Sequence, residues 1–132
     1  MQPTLNNRGG LIVRISETAN KNHEELFPNH KSTLKVTDTE LIKVFDNFAF
    51  DEVITEANLD TRTRLMVILA SIIANQALSE YKVLIVGALN VGVTPIEVKE
   101  IVYQSVPYVG IAKAFEFIHA TNEILQDRKS VV

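Results

Sequence analysis

No cysteine occurs anywhere in the 132 residues. Its absence excludes disulfides, thiolate nucleophiles, thiolate metal sites and every thiol-based redox cycle. It also fits a cytosolic setting. Excess charge is missing as well: the formal net charge of −3 leaves no electrostatic footprint for phosphate backbones or anionic lipid. Nucleic acid and membrane are therefore not expected as partners. The longest apolar run, Leu65 to Ala74, contains Ser71 and is far too short to span a bilayer. The opening MQPTLNNRGG holds one arginine and no apolar core, so it is not read as a signal peptide. The histidines are scattered, and no His/Asp/Glu cluster stands at ligand spacing on one helix face, so no metal is expected. The chain reads as soluble and cytoplasmic.

What is present is an ordinary globular balance, 46% apolar and 22% charged, in a length suited to one domain with one core. Residues 1–15 hold Asn6, Asn7, Gly9 and Gly10 before Leu11-Ile12-Val13. They read either as a disordered arm or as a short extended segment packing on a neighbour. Residues 16–132 are expected to form a single helical domain.

Helical spacing recurs along that domain. A helix is predicted from Glu17 to about Phe27, closed by Pro28. Thr37 and Glu40 have capping-box spacing, and Leu41, Ile42, Phe45, Phe48 and Ala49 continue a helix to about Phe50. A short turn around Glu52 to Glu56 follows. Asp60 is a good N-cap for a helix to about Gln76, and that helix has almost no polar face. Such a helix must be surrounded by protein, in a bundle centre and at a subunit interface. Ser79 is the expected cap of the next helix, and Gly92 suits a left-handed C′ position. Thr94-Pro95-Ile96-Glu97 restarts the chain with an N-cap, a first-turn proline and a capping-box glutamate. Pro107 is expected to interrupt that helix, and Gly110 to turn the chain into a last one, about Ile111 to Gln126. No run reads as a sheet strand. The prediction is an all-α bundle of about six helices.

Within this pattern, Leu59-Asp60-Thr61-Arg62-Thr63-Arg64 is followed by Gly87-Ala88-Leu89-Asn90-Val91-Gly92-Val93-Thr94. Glu97, Glu100-Ile101 and Tyr108-Val109-Gly110 come next, with Ala112 and Ala114 beyond. In order and spacing this stretch resembles the carboxymuconolactone decarboxylase family, which includes the alkylhydroperoxidase-D-type proteins. The resemblance covers about half the chain. It implies an α-helical protomer that assembles as a homo-oligomer, a trimer or hexamer, and acts on small molecules without cofactor or metal. It also implies what is missing. At the peroxidase-type cysteine positions stand Ala77 and Glu80, at the histidine Leu84, and at the upstream glutamate Leu65. Thiol peroxidase chemistry is excluded, because the peroxide oxygen needs a thiolate to attack it. Decarboxylase-type members keep a glutamate followed four residues on by histidine, and here Glu80 remains without its imidazole. A further histidine, four residues before the tyrosine, is replaced by Gln104.

Each candidate residue carries two readings. Glu80 is either a general acid or base tuned by burial or a first-turn carboxylate favoured by the helix dipole. Tyr103, Gln104 and Tyr108 are candidates to face one cavity and orient a carbonyl or carboxylate, although tyrosines more often bury a ring and tie off the hydroxyl. His119 is a candidate imidazole titrating near neutral pH or an ordinary half-buried histidine. Asn75 and Gln76 either line a pocket or bond the turn beside them. Arg62 and Arg64 read as structural ion-pair partners of Asp60, Glu97 or Glu100 rather than as an anion clamp. His23 and His30 carry no assignment.

Two functions compete. One is a cofactor-free enzyme on a small organic acid or lactone, resting on the resemblance, on Glu80 and on a polar pocket of Gln104, Tyr108 and His119. The other is a non-catalytic oligomeric binding or scaffold protein that kept the fold. A third, a helix-turn-helix reading of Leu89 to Val102, is disfavoured because the second helix offers Glu97 and Glu100 where phosphates ask for cations.

Overall fold

The computed structural model describes residues 4–5, 11–12 and 14–130. Its contacts gather into two compact units, Met1–Asn58 and Leu59–Val132, with the boundary falling inside the stretch expected as one domain from residue 16 onward. Helices make up most of the described residues. Of the N-terminal arm, the described residues are extended: β1 (Thr4–Leu5) pairs antiparallel with β2 (Leu11–Ile12), Thr4 opposite Ile12 and Leu5 opposite Leu11. This small ladder departs from the expectation of no strand. It does not change the class, which is all-α.

In the first unit α1 (Glu17–Leu26) begins at Ser16, whose hydroxyl accepts the Ala19 amide at 3.0 Å. Next come α2 (Leu34–Thr37) and α3 (Thr39–Asn47), the latter running without a break into a π-helical stretch, Phe48–Glu52, and then α4 (Val53–Thr55). The predicted capping box at Thr37 is not formed. Thr37 ends α2, where its hydroxyl can turn back on the Thr33 carbonyl (3.3 Å) or donate to the Asp38 carboxylate (2.8 Å), and Asp38 takes the N-cap place without a side-chain bond to the amides of α3. The wide π turn lets Asn22 of α1 donate to the Phe50 carbonyl at 2.7 Å, a bond an ordinary α ladder leaves less room for. Ser16 secures the same region through its amide to Asn47 (2.8 Å) and its hydroxyl to Asp51 (2.6 Å).

The second unit is a four-helix arrangement: α5 (Thr61–Ala74), α6 (Leu78–Asn90), α7 (Pro95–Val109) and α8 (Ile111–Ser130). Helix α5 packs on α6 and α7, and α8 packs on the same two. Leu65, Leu69 and Ile73 of α5 recur every fourth residue and are fully buried. They meet Tyr81, Ile85 and Ala88 of α6, Val98 and Val102 of α7, and Ala114 and Phe117 of α8, all buried. Each large member contributes about 1.5–3 kcal/mol. The other apolar residues of α5 stay outside this core: Val67 is exposed, and Met66, Ile68 and Ile72 are half-buried.

The turns follow the sequence closely at some points and not at others. Asp60 caps α5 through Thr63 (3.1 Å), and the Thr94–Glu97 capping box is complete in both directions, 3.2 and 3.0 Å. Gly92 has φ +99°, and Val93 and Gly92 donate back to Ala88 and Leu89, which is the Schellman pattern. A Cβ at Gly92 would meet nothing within 4 Å, so the demand there is conformational rather than steric. A second Schellman turn ends α5 with Gln76 at φ +59°: Ala77 donates to Ile72, and Gln76 to Ile73. Ser79 is not a cap. Helix α6 starts at the Ala77 N-cap with no side-chain bond, which puts Ser79 inside the first turn. Pro107 does not interrupt α7, which runs through it to Val109. It lies two residues before the helix end, so although the bond to the Tyr103 carbonyl is lost, little helix remains beyond it to be disrupted. The last helix extends past Gln126 to Ser130.

Candidate functional site

The residues singled out in the sequence do not converge on one point. Gln104 and Tyr108, one turn apart on α7, line a groove of about 480 Å³ between α5 and α7. Met66, Ala70 and Ala74 of α5 form one wall. Ile101, Ser105 and Val109 form the other, with Glu97 and Glu100 at one end. Its volume falls in the range of small-ligand clefts. Gln104 donates to Glu100 at 3.3 Å, and Ser105 turns its hydroxyl onto the Ile101 carbonyl at 2.7 Å. Tyr108 is 89% exposed, so its hydroxyl is available to a ligand.

Tyr103 lies among the exposed residues of α7 and is not part of that lining. Glu80 is exposed in the first turn of α6, where the positive end of the helix favours a carboxylate. His119 is exposed on α8 and Asn75 is exposed at the C-cap of α5. Gln76 bonds the turn it sits in, its amide donating to the Ile73 carbonyl at 2.8 Å. Within one chain, the carboxylate and imidazole candidates thus stand outside the groove that holds the amide and the phenol.

Arg62 has a structural place. Its guanidinium pairs with the free oxygen of the capping-box carboxylate of Glu97, and its Nε donates to the Gly92 carbonyl at 3.4 Å. One arginine thereby ties the start of α5 to the turn that launches α7. This pair also neutralises one of the two carboxylates at the end of the groove and leaves Glu100 as its net charge.

The buried polar pair of the unit is Tyr81 and Thr121, hydroxyl to hydroxyl at 2.5 Å. Thr121 also bonds the Phe117 carbonyl at 2.6 Å. Its single proton is used there, so Tyr81 must be the donor to Thr121. Burial pushes the Tyr81 phenol up to about 12, with the Thr121 bond acting in the opposite sense.

A family model for the carboxymuconolactone decarboxylase family matches residues 36–123. The chain belongs to this family. A search of the curated proteins found no match to the chain. Set against the positions the resemblance implies for this family, Leu65 is fully buried among core side chains and Ala77 is a helix N-cap. Apolar packing and a turn thus occupy places where other members carry reactive groups. Without a thiol, this member cannot run thiol peroxidase chemistry. No helix among the described residues is long and apolar enough to cross a membrane, and no group of three or more metal-ligating side chains is found among them.

One cluster of the first unit went unassigned in the sequence. Asp46 of α3 is buried, and the His23 ring lies 5.1 Å from Phe50 and 5.3 Å from Phe27. Burial pushes His23 below its usual value, opposed chiefly by Asp46. Burial pushes Asp46 up, opposed by His23 and Lys35. The two residues are twenty-three apart in the chain, and no periodicity links them, so only folding brings them within electrostatic reach.

Proposed function

We propose that this chain is a cytoplasmic, homo-oligomeric member of the family that binds a small uncharged carbonyl compound, of the lactone class, in the α5–α7 groove. The observation that carries this reading is the convergence of Gln104 and Tyr108 on one apolar-walled groove. A lactone carbonyl accepts from the phenol and the amide while its ring rests on Met66, Ala70 and Ile101. Glu100 stands at the groove end with no described cation paired to it, so a carboxylate ligand is repelled there. Oligomerisation is supported by the exposed apolar surface of the second unit, which includes Val67, Val83, Ile111 and Phe115. Light scattering on the eluting protein tests it, and a monomeric mass at micromolar concentration refutes it.

The binding test compares a neutral γ-lactone with its ring-opened hydroxy acid by calorimetry, using the wild type, Gln104→Ala and Tyr108→Phe. The lactone should bind more tightly than the acid, and each substitution should weaken it by about three- to tenfold. Tighter binding of the acid refutes the reading.

A second reading, a cofactor-free decarboxylase or lyase acting on a small acid or lactone, rests on Glu80. The family resemblance implies a retained glutamate at that position, and oligomer assembly could bring it beside His119 of a second copy. Ultraviolet monitoring of γ-carboxymuconolactone with the wild type and Glu80→Gln decides it. Turnover lost in the variant makes Glu80 catalytic, and no turnover at high enzyme concentration leaves the binding reading standing.

A further inference from the structure

A groove larger than the α5–α7 one lies elsewhere in the second unit. It is a groove of about 1010 Å³ where the start of α7 meets the end of α8, with Val86 of α6 in its wall. Helices α7 and α8 are joined at Gly110 and packed together, so Ile96 and Lys99 on one stand beside Leu125, Arg128 and Lys129 on the other. On each helix an apolar residue is followed one turn later by a cation, Ile96 by Lys99 and Leu125 by Arg128. Those residues share a helix face, so the groove combines an apolar floor with a cationic rim.

The sign of the charge is what makes the groove specific. The chain as a whole carries −3, yet this lining holds Lys99, Arg128 and Lys129 against Asp127 alone. Arg128 reaches the Asn90 amide oxygen at 3.5 Å, which steadies the guanidinium without neutralising it. No ion pair of Lys99, Arg128 or Lys129 is found among the described residues. The N-terminus of α7 adds its positive end to the same rim. The α5–α7 groove ends instead in Glu100, its neighbour Glu97 being paired with Arg62, and so carries a net negative charge. The two grooves are therefore chemically opposite.

We infer that the α6–α7–α8 groove is a binding site for a free amphipathic monocarboxylate, its tail on Val86, Ile96 and Leu125 and its head between Lys99 and Arg128. The site is separate from the lactone groove, and neither assignment depends on the other. A single anion satisfies the rim, and an alkyl or aryl tail of medium length suits the floor and volume. Long alkyl stems on Lys99 and Lys129 add apolar wall while keeping their charges at the water boundary.

The test uses the full chain with sodium decanoate, decyltrimethylammonium and 1-decanol, each below its aggregation limit. Binding is read by calorimetry, and its location by methyl shifts of Ile96 and Leu125. Decanoate should bind best, weaken with added salt, and lose about threefold to fivefold in affinity in Lys99→Gln and in Arg128→Gln. Lys113→Gln, which removes an α8 cation outside the groove, should leave decanoate affinity unchanged. Helical content of each variant, followed by circular dichroism, separates lost binding from lost fold. Equal binding of the ammonium compound overturns the inference, as does an equal effect of Lys113→Gln. Binding to phosphatidylglycerol vesicles with none to monomeric decanoate overturns it in favour of a lipid surface.

Discussion

Removing the hydroxyl of Thr121 should destabilise the second unit more than removing the hydroxyl of Tyr81. Thr121 donates to Phe117 and accepts from Tyr81, while Tyr81 makes only the one bond to Thr121. Thr121→Val keeps shape and β-branching but strands the Tyr81 hydroxyl, which is fully buried. An unsatisfied buried donor costs about 1–3 kcal/mol. Tyr81→Phe leaves Thr121 with its Phe117 bond and costs about 0.5–1.5 kcal/mol. In the double variant nothing is stranded, so its loss should fall short of the sum of the two by about 1 kcal/mol. Urea unfolding at fixed protein concentration measures all three. With a slope of about 2 kcal/mol/M, a 2 kcal/mol loss moves the midpoint by about 1 M. The slope itself should not change. Equal costs for Tyr81→Phe and Thr121→Val, or full additivity in the double variant, would show that no buried hydroxyl is stranded. The same pair predicts an alkaline limit. Tyr81 is raised from the ordinary 10.0 to about 12, so the unfolded chain releases that proton first, and stability should fall as pH rises through this interval.

Three further outcomes follow from local geometry. Thr94→Ala breaks one arm of the capping box and loosens the Glu97 carboxylate that Arg62 holds, so it should lower unfolding free energy by about 1 kcal/mol or slightly more. Pro107→Ala restores an N–H to the last turn of α7, and urea unfolding should show a gain of about 1 kcal/mol. Asp46→Asn should raise the melting temperature at neutral pH and have no effect below the ordinary 3.8, measured by thermal scans across pH. Asp46 is shifted upward by burial, so its contribution is fully present below 3.8 and lost as pH rises through the folded value. His23 is shifted downward from 6.5, so its contribution is present above 6.5 and lost as pH falls through the folded value. That acid-side loss should survive the substitution.

Much of the second unit was legible before folding because its signals are local. Asp60, Thr94, Pro95 and Glu97 act within one turn of where they stand, and Gly92 and Gly110 answer a backbone angle. Misreadings arose where a local rule had a competitor. Thr37 has capping-box spacing, but the upstream carbonyl of Thr33 is in reach of its hydroxyl. Ser79 is a good cap residue, but the Schellman turn at Gln76 starts the next helix two residues earlier. Pro107 breaks helices in their interior, but here it falls in a last turn. At the candidate site, Gln104 and Tyr108 stand one turn apart and line one groove, while Tyr103, one residue from Gln104 and five from Tyr108, is turned elsewhere by the helix.

The sequence by itself determined the class, the main helix starts and ends, the family and the exclusion of thiol chemistry. These depend on residue type and on neighbours within four positions. Only the tertiary structure decided which apolar face of α5 is core, that Arg62 is held by Glu97, and that Tyr81 shares its hydroxyl with Thr121. It also decided that cations from α7 and α8 gather in one groove while Glu100 leaves the other with a negative end. Such pairings join residues thirty or forty positions apart, and no local propensity carries information over that distance. They exist because burying the α5 to α8 core fixes where each helix's remaining side chains must lie.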